Sequence, residues 1–179
     1  TITYSIGGVC PDIQTYDVIV NLFLDATITA ATPFCESNIA VNLTAADAGG
    51  IWSGNGITDA NAGTFDPSVA APGLWTVTYT IPGSCGSSDT EDVLVIADSD
   101  ASIYSAGPFC DNATAITMTA MDAGGVWSGT GITDGTLGTF DPIVAGAGTH
   151  AVTYTISGAC GDSDTEDITV LAQQDATIT

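Results

Sequence analysis

The chain has 179 residues, 45% of them hydrophobic, and 21 acidic residues without a single lysine or arginine, so its formal net charge is −21. This charge excludes nucleic acid as a partner and disfavours an anionic membrane surface, because no basic side chain can neutralise phosphate. The hydrophobic residues come in short alternating runs, and none approaches the roughly 20 apolar residues of a membrane span.

The sequence repeats itself with an offset of 75 residues. Segments 25–99 and 100–174 are identical at 44 of 75 positions, with no insertion between them. We expect both to be whole repeats. Residues 1–24 match the last third of a repeat and are predicted to be C-terminal strands of a preceding or strand-exchanged repeat. Residues 175–179 match the start of a repeat and are predicted to be the first strand of the next. The chain is then either a window on a longer array or a molecule that exchanges terminal strands with its neighbours.

Short β-strands are the only elements that the sequence predicts within each repeat. Apolar residues alternate with polar or small ones over 39–45, 75–81 and 93–95, and again at the equivalent positions of the second repeat. Gly, Asn, Asp and Pro separate these runs, and no segment has a helical period with caps. Six or seven short strands in about 75 residues predict an all-β chain of small tandem β-sandwich domains.

The cysteines recur with the repeat, so that each whole repeat has an early and a late one. This pattern indicates disulfides formed in an oxidising compartment. The simplest pairing lies within repeats, Cys35 with Cys85 and Cys110 with Cys160, which leaves the partner of Cys10 outside the chain. If each repeat opens on a normal strand, however, Cys35 and Cys85 lie at opposite poles of the sandwich. A bond between Cys35 and Cys160 across a domain junction is then the alternative.

Acidic residues cluster near the end of each repeat and at the junction between the repeats. Closely spaced oxygen ligands suit calcium, although no cluster matches an EF-hand loop, and a solvated turn with carboxylates capping backbone groups is the alternative. The possible calcium ligands are Asp89, Glu91, Asp92, Asp98, Asp100, Asp162, Asp164, Glu166 and Asp167.

Aromatic residues at equivalent positions of the two repeats are predicted to pack in the core rather than to stack on sugar. Trp75 differs from them, because its equivalent is His150, and a position that exchanges Trp for His is expected at a surface or junction. His150 has no counterpart in the first repeat, which argues against a shared catalytic or zinc role. The predicted core aromatics are Trp52, Phe65, Tyr79, Trp127, Phe140 and Tyr154.

Two further features suggest modification and assembly. Asn42 and Asn112 open Asn-x-Thr sequons and are possible glycosylation sites. Leu22, Phe23 and Leu24 are apolar where the other repeats carry polar or small residues. They suggest a buried junction or a contact to a neighbouring chain, or else a longer core strand.

The repeated motifs resemble a known group of bacterial modules. The runs Pro33-Phe34-Cys35, Gly50-Ile51-Trp52-Ser53-Gly54, Gly63-Thr64-Phe65-Asp66-Pro67 and Val77-Thr78-Tyr79 are similar to Ig-like/PKD-like repeats of Bacteroidota cell-surface proteins. Among these are gliding-motility adhesins exported by the type IX route. The resemblance covers essentially the whole chain. It implies that 25–99 and 100–174 are Ig-like repeats and that the chain is a linear array of tandem Ig-like β-sandwich domains. It implies an extracellular location on a bacterial surface and a role as stalk, adhesin or spacer, and it supplies no catalytic residues.

These observations predict a structural or adhesive component of an extracellular bacterial surface fibre or filament, built from serial Ig-like domains. Its partners would be neighbouring repeats or copies of itself, joined head to tail with possible strand exchange. The alternative is a calcium-dependent module that binds surface glycans within a larger secreted protein. We expect no enzymatic activity, because near-duplicate repeats do not normally hold one active site and no nucleophile–base constellation is present.

Overall fold

The elements of the structure follow the same offset as the sequence. The computed structural model describes residues 1–31 and 33–174, so the strand predicted at 175–179 lies outside the described residues. Strands β1 (Ile2–Ile6) and β2 (Asp12–Tyr16) form an antiparallel hairpin ahead of the first whole repeat.

Each whole repeat contains seven strands and one helical turn among its described residues. In the first repeat these are β3 (Phe34–Cys35), β4 (Val41–Asn42), β5 (Ile51–Gly54), β6 (Ile57–Asp59), β7 (Thr64–Phe65), α1 (Pro67–Ala70), β8 (Gly73–Thr80) and β9 (Ser88–Ile96). In the second they are β10 (Phe109–Cys110), β11 (Ile116–Thr117), β12 (Val126–Gly129), β13 (Ile132–Asp134), β14 (Thr139–Phe140), α2 (Pro142–Ala145), β15 (Gly148–Ile156) and β16 (Asp162–Leu171).

Both repeats arrange these strands in one four-stranded and one three-stranded sheet. The four-stranded sheets have the order β3-β9-β8-β5 and β10-β16-β15-β12, and the three-stranded sheets have the order β4-β7-β6 and β11-β14-β13. The first strand of each four-stranded sheet pairs in parallel with the last strand of its repeat. The other pairings described between strands are antiparallel. The chain is thus all-β, with an Ig-like β-sandwich in each repeat, as the sequence predicted.

The alternating strands place one face in the core and the other in solvent. On β8, Val77 and Tyr79 are buried while Thr76 and Thr80 are exposed, which is the period of two expected for a half-buried strand. In the second repeat, buried residues from both sheets form a single cluster. Its members are Ala101, Met118, Trp127, Phe140, Val152, Tyr154, Ile168 and Val170.

The prediction of strands alone was wrong at α1 and α2, each a single helical turn that begins at the proline of an Asp-Pro pair. At α2, Asp141 is the N-cap, its carboxylate accepts from the backbone N–H of Ile143, and Pro142 occupies the first turn. Proline fits there because its missing N–H would have no partner inside the helix. The Asp-Pro pair was the available signal, but four residues are too few to show a helical period.

Two of the repeated glycines allow close approach to the aromatic core. A Cβ on Gly125 would lie 2.5 Å from the Cζ of Tyr154, and one on Gly138 would lie 2.6 Å from the Nε1 of Trp127. Gly138 also has a φ of +70°, which residues with a side chain rarely adopt. These glycines therefore recur between the repeats for a packing reason.

The described residues of the chain divide into two units. The first comprises Thr1–Thr32, Ile39–Ala70 and Leu74–Val93, and the second comprises Pro33–Asn38, Ala71–Gly73 and Leu94–Thr179. The short segment around Cys35 thus belongs to the second unit, although it falls in the first repeat by sequence. The repeat boundaries at 24/25, 99/100 and 174/175 stay predictions. Within the described residues, no helix combines the length and apolar character needed to cross a bilayer.

Candidate functional site

One disulfide lies within the second unit and joins the early cysteine of the first repeat to the late cysteine of the second. Cys35 and Cys160 are bonded, with their Cα atoms 5.4 Å apart. Cys10, Cys85 and Cys110 are free thiols. The predicted bonds Cys35–Cys85 and Cys110–Cys160 are therefore wrong, and the alternative that crosses from one repeat to the next is correct.

The length of the last strand explains why a bond within a repeat cannot form. In the second repeat, Cys110 pairs with Leu171 at the end of β16, whereas Cys160 lies just before β16 begins at Asp162. Ten residues at about 3.3 Å each separate the two poles by roughly 30 Å, and a disulfide requires Cα atoms within about 7 Å.

The first repeat has the same arrangement. Cys35 pairs with Ile96 at the end of β9, and Cys85 lies before β9 begins at Ser88. Nine residues of strand correspond to roughly 26 Å. Each repeat thus has one cysteine at each end of its last strand. The two cysteines of one repeat are too far apart to bond each other.

Asp98 lies beside the disulfide. Its carboxylate accepts from the Ser37 hydroxyl at 3.0 Å. Among residues 1–31 and 33–174, the one group of three potential metal-ligand atoms within 4.8 Å of one another consists of Asp98, Cys35 and Cys160. Two of its three members are sulfurs already bonded to each other, so this group lacks the thiolates that a zinc site would need.

The other predicted calcium ligands mostly accept hydrogen bonds from the protein. Asp89 accepts from the backbone N–H of Ile28 at 2.8 Å, and Asp92 accepts from the Thr76 hydroxyl at 2.6 Å. Glu91 is half-exposed on β9.

The second repeat uses its carboxylates in the same way. Asp162 and Asp164 each accept at 2.9 Å, from the backbone N–H groups of Ala101 and Ile103 respectively. The N–H groups of the opening segment thus donate to aspartate side chains instead of to the backbone carbonyls of a neighbouring strand. Glu166 is half-exposed, Asp167 is exposed, and Asp100 accepts from the N–H of Ser102.

Three exposed aspartates are held in local turns that favour their charged form. The hydroxyl and then the backbone N–H of Thr27 lower the pKa of Asp25, and the same two groups of Ser102 lower the pKa of Asp100. Asp25 and Asp100 are the first residues of the two repeats, so this turn opens each of them.

Asp59 has the same property in a different turn. The backbone N–H groups of Ala62 and then of Asn61 lower its pKa. With no lysine or arginine in the chain, hydrogen-bond donors rather than cations stabilise these carboxylates.

The repeated aromatic residues are buried and do not form a platform for sugar. Trp52 and Trp127 are 4% and 6% exposed, and they pack on Tyr79 and Tyr154 with ring centroids 4.6 and 4.5 Å apart. Phe65 and Phe140 are fully buried, as expected for core residues. His150, at the position of the half-buried Trp75, lies 2.8 Å through its Nε2 from the Gly146 carbonyl oxygen.

Both predicted glycosylation sites lie on the surface. Asn42 is exposed on β4 and accepts from the Thr64 hydroxyl through its amide oxygen. Asn112 is exposed, and its amide nitrogen donates to the Gln173 side chain at 3.1 Å.

The apolar run ahead of the first whole repeat is largely exposed. Leu22 and Phe23 are 82% and 64% exposed, and Leu24 is half-buried, with its N–H donating to the Cys85 carbonyl. The hairpin before it also exposes apolar side chains, which sequence reasoning did not single out. Ile2, Tyr4 and Ile6 are 62%, 68% and 49% exposed, yet they match the core residues Val77, Tyr79 and Ile81 at an offset of 75.

No family model matches the chain, and no match was found among the curated proteins. Several solved structures resemble it at low identity. The Drosophila N-cadherin EC1-4 structure matches with a TM-score of 0.46 and 10% identity over 85% of this chain and 50% of that chain. The insect immune protein hemolin matches with a TM-score of 0.48 and 7% identity over 84% and 46%. Drosophila OTK, extracellular domains 3-5, matches with a TM-score of 0.49 and 11% identity over 92% and 67%. The chain spans about half the length of the cadherin and hemolin structures.

Proposed function

We propose that this protein is a structural and adhesive component of an extracellular bacterial surface fibre, in which Ig-like domains follow one another in series. The observation that carries this proposal is the bond between Cys35 and Cys160. A covalent link between successive repeats is unnecessary for a domain that acts alone. It becomes useful when a chain of domains must resist being pulled apart.

The redox chemistry and the composition support an extracellular location. Disulfides persist in oxidising compartments and are rare in the reducing cytosol. The absence of lysine and arginine also removes every cleavage site for trypsin-type proteases, which suits an exposed filament. The finer assignment, to the surface adhesins of Bacteroidota exported by the type IX route, rests on the resemblance of the repeat motifs and is part of this proposal.

The exposed hairpin supports a partner of the same kind. Ile2, Tyr4 and Ile6 occupy positions whose equivalents are almost fully buried in the first repeat. An apolar strand pair of this kind is normally covered. The hairpin is equivalent to β8 and the beginning of β9, which pack against β3–β7 in the first repeat. The surface that would cover the hairpin is therefore the set of strands equivalent to β3–β7 in another repeat. We therefore propose that neighbouring repeats, in series or by strand exchange, are the partners of this chain.

Stretching single molecules from their two termini tests the proposal. The bond encloses 125 residues, which would extend by about 44 nm at roughly 3.5 Å per residue. We expect the oxidised chain to extend about 44 nm less than the reduced chain. Oxidised Cys160→Ser should extend as far as the reduced chain, and Cys85→Ser should keep the short extension.

Equal extension of the oxidised and reduced chains would remove the mechanical basis of the proposal. Electron microscopy of the native surface, with an antibody against this chain, is the second readout. Labelled filaments are the expected result, and label confined to isolated particles would contradict a fibre.

Calcium and glycan binding stay predictions. Most of the carboxylates concerned already accept hydrogen bonds from the protein, and the repeated tryptophans are buried. Isothermal titration with calcium, alone and in the presence of surface glycans, tests the alternative function. Saturable binding that Asp98→Asn or Asp164→Asn weakens would support it.

A further inference from the structure

The observed disulfide follows a rule that can be applied to every copy of the repeat. It joins the early cysteine of one repeat to the late cysteine of the next, over a separation of 125 residues, which is one full repeat plus the 50 residues between the two cysteine positions. Bonds within a repeat are excluded by the length of its last strand. An early cysteine therefore has a partner only when another repeat follows, and a late cysteine only when another repeat precedes.

Cys110 has the same local geometry as the bonded Cys35. Cys35 lies opposite Ile96 in a two-residue parallel pairing, and Cys110 lies opposite Leu171 in the equivalent pairing. The backbone carbonyls of the two cysteines each accept at 3.0 Å from the residue three positions later, Asn38 in one case and Ala113 in the other.

Cys85 likewise has the geometry of the bonded Cys160. The carbonyl of Cys85 accepts from the N–H of Leu24 at 2.9 Å, and that of Cys160 accepts from the N–H of Ser99 at 2.9 Å. The bonded cysteines thus make the same backbone hydrogen bonds as the free cysteines at equivalent positions. What the free cysteines lack is a partner. Consistent with this, Cys35 is 8% exposed whereas Cys110 is exposed.

We propose that Cys110 and Cys85 are further half-sites of the same cross-link. Cys110 bonds the late cysteine of a repeat that follows it, and Cys85 bonds the early cysteine of a repeat that precedes it. A serial array of this repeat then carries one disulfide from each repeat to the next. This inference rests on the serial architecture of the proposed function, and it extends a single observed bond to every pair of consecutive repeats.

The bond forms by thiol–disulfide exchange with a small disulfide oxidant such as oxidised glutathione. One cysteine thiolate attacks the oxidant and forms a mixed disulfide, which releases one glutathione thiolate. The second cysteine thiolate attacks the protein sulfur of that mixed disulfide and releases the other glutathione thiolate. Two protein thiols thus lose two electrons and two protons, and one oxidised glutathione becomes two molecules of reduced glutathione.

A chain lengthened by one repeat tests the inference. A second copy of 100–174 is inserted after residue 174, in a Cys10→Ser background. The copy carries Ser105→Ala and Val144→Ile, so that its cysteine peptides differ in mass from those of the original segment. The protein is refolded in a glutathione redox buffer. Peptides are mapped without reduction after cleavage at aspartate, since trypsin has no site. We expect Cys35–Cys160 and a second bond from Cys110 to the added cysteine that stands at the position of Cys160. Alkylation of Cys110 should fall at least about tenfold relative to the 179-residue chain, while Cys85 stays reactive.

Two matched variants assign the partners. Cys110→Ser in the lengthened chain should free the added late cysteine and leave Cys35–Cys160 intact, whereas Cys35→Ser should free Cys160 and leave the new bond intact. A mirror chain, in which a copy of 25–99 replaces 1–24, should protect Cys85 instead.

The possible failures are distinguishable. If Cys35–Cys160 forms and Cys110 stays reactive in the lengthened chain, or the added cysteines bond each other, this inference is overturned and the proposed function keeps its support. If Cys35–Cys160 is itself missing from the oxidised protein, the observation beneath the proposed function fails as well.

Discussion

A single tyrosine hydroxyl holds the loop that leads into the tryptophan strand of each repeat. In the first repeat, the Tyr79 hydroxyl donates to the Asp47 carbonyl at 2.9 Å and accepts from the Gly50 N–H at 2.8 Å. In the second, the Tyr154 hydroxyl makes the same two bonds, to Asp122 and Gly125. The Asp-Ala-Gly-Gly run that both repeats contain is thus explained by the fold, since the tyrosine ring and its hydroxyl need small residues and two backbone groups within reach.

Tyr154→Phe is expected to lower the free energy of unfolding by about 1–3 kcal/mol. The change removes the shared partner of the half-buried Gly125 N–H and the Asp122 carbonyl, and each such hydrogen bond contributes about 0.5–1.5 kcal/mol. Urea unfolding followed by tryptophan fluorescence measures the loss. Tyr104→Phe is the matched control, because Tyr104 is 52% exposed, and its effect should stay below about 0.5 kcal/mol. Equal effects of the two variants would show that the buried hydroxyl is not used as described.

The aspartate that opens each repeat gives a pH-dependent contribution with a definite sign. Hydrogen bonds from Ser102 lower the pKa of Asp100 in the folded state. A lowered folded-state pKa contributes stability above the unfolded value of about 3.9, and that contribution is lost as the pH falls through the folded-state pKa.

Asp100→Asn should therefore have a lower Tm than Asp12→Asn at pH 6, and the gap should close as the pH falls below about 4. Both variants remove one negative charge, so the comparison cancels the general relief of repulsion. Calorimetry between pH 2.5 and 7 measures both curves. A gap that persists unchanged at the lowest pH would contradict an origin in the ionised Asp100 carboxylate.

At the scale of the element, the last strand of each repeat sets the cysteine pairing. β16 carries the core residues Ile168 and Val170 on one face and spans the distance between the two cysteine poles. The strand that contributes these core residues thus also keeps the two cysteines of its repeat too far apart to bond. The disulfide between consecutive repeats is then the one that can form.

Cys160→Ser is expected to destabilise the oxidised second unit by about 2–4 kcal/mol, because it removes the constraint on the unfolded chain. The chain-entropy model gives about 5 kcal/mol for a loop of 125 residues, but measured values generally fall below the model. Urea unfolding with and without reductant measures the effect. Cys85→Ser, which removes a free thiol, should shift stability by less than about 0.5 kcal/mol, and reductant should abolish the difference between the two variants.

The alternation of apolar residues predicted β8, β9, β15 and β16 because each strand has one buried and one solvated face. Local pattern could not predict the shortest elements. Strand β3 is two residues long, and its parallel register against β9 comes from distant parts of the chain. Since that register decides where Cys35 lies, the sequence alone could leave the disulfide only as one of two alternatives.

The acidic clusters show the same limit. Their spacing suggested calcium ligands, and that prediction stays open. What the spacing could not show is that Asp162 and Asp164 accept hydrogen bonds from backbone groups of the opening segment, 61 residues earlier in the chain. The exchange of Ser87 for Asp162 between repeats now has a reason. The Ser87 hydroxyl accepts from Ala26 at the position where Asp162 accepts from Ala101.

At the scale of the whole molecule, repulsion between negative charges dominates the electrostatic energy. The chain has no lysine or arginine, so the N-terminal amine and His150 are the groups that can carry positive charge. Salt usually has two opposing effects, since it screens repulsion and weakens ion pairs. Here almost no ion pairs exist to be weakened, and a net charge of −21 makes the folded chain repel itself.

Raising NaCl from 0.01 to 0.3 M is therefore expected to raise the Tm at pH 7, because the Debye length falls from about 30 Å to below 10 Å. The rise should shrink at pH 3, where most carboxylates are protonated and there is little repulsion to screen. Calorimetry at both pH values measures the effect, and CaCl2 at matched ionic strength separates screening from binding. A larger, saturating rise with calcium would support the predicted calcium sites, whereas matched curves would count against them. A fall in Tm with NaCl at pH 7 would contradict the view that repulsion among unpaired carboxylates dominates the electrostatics of this fold.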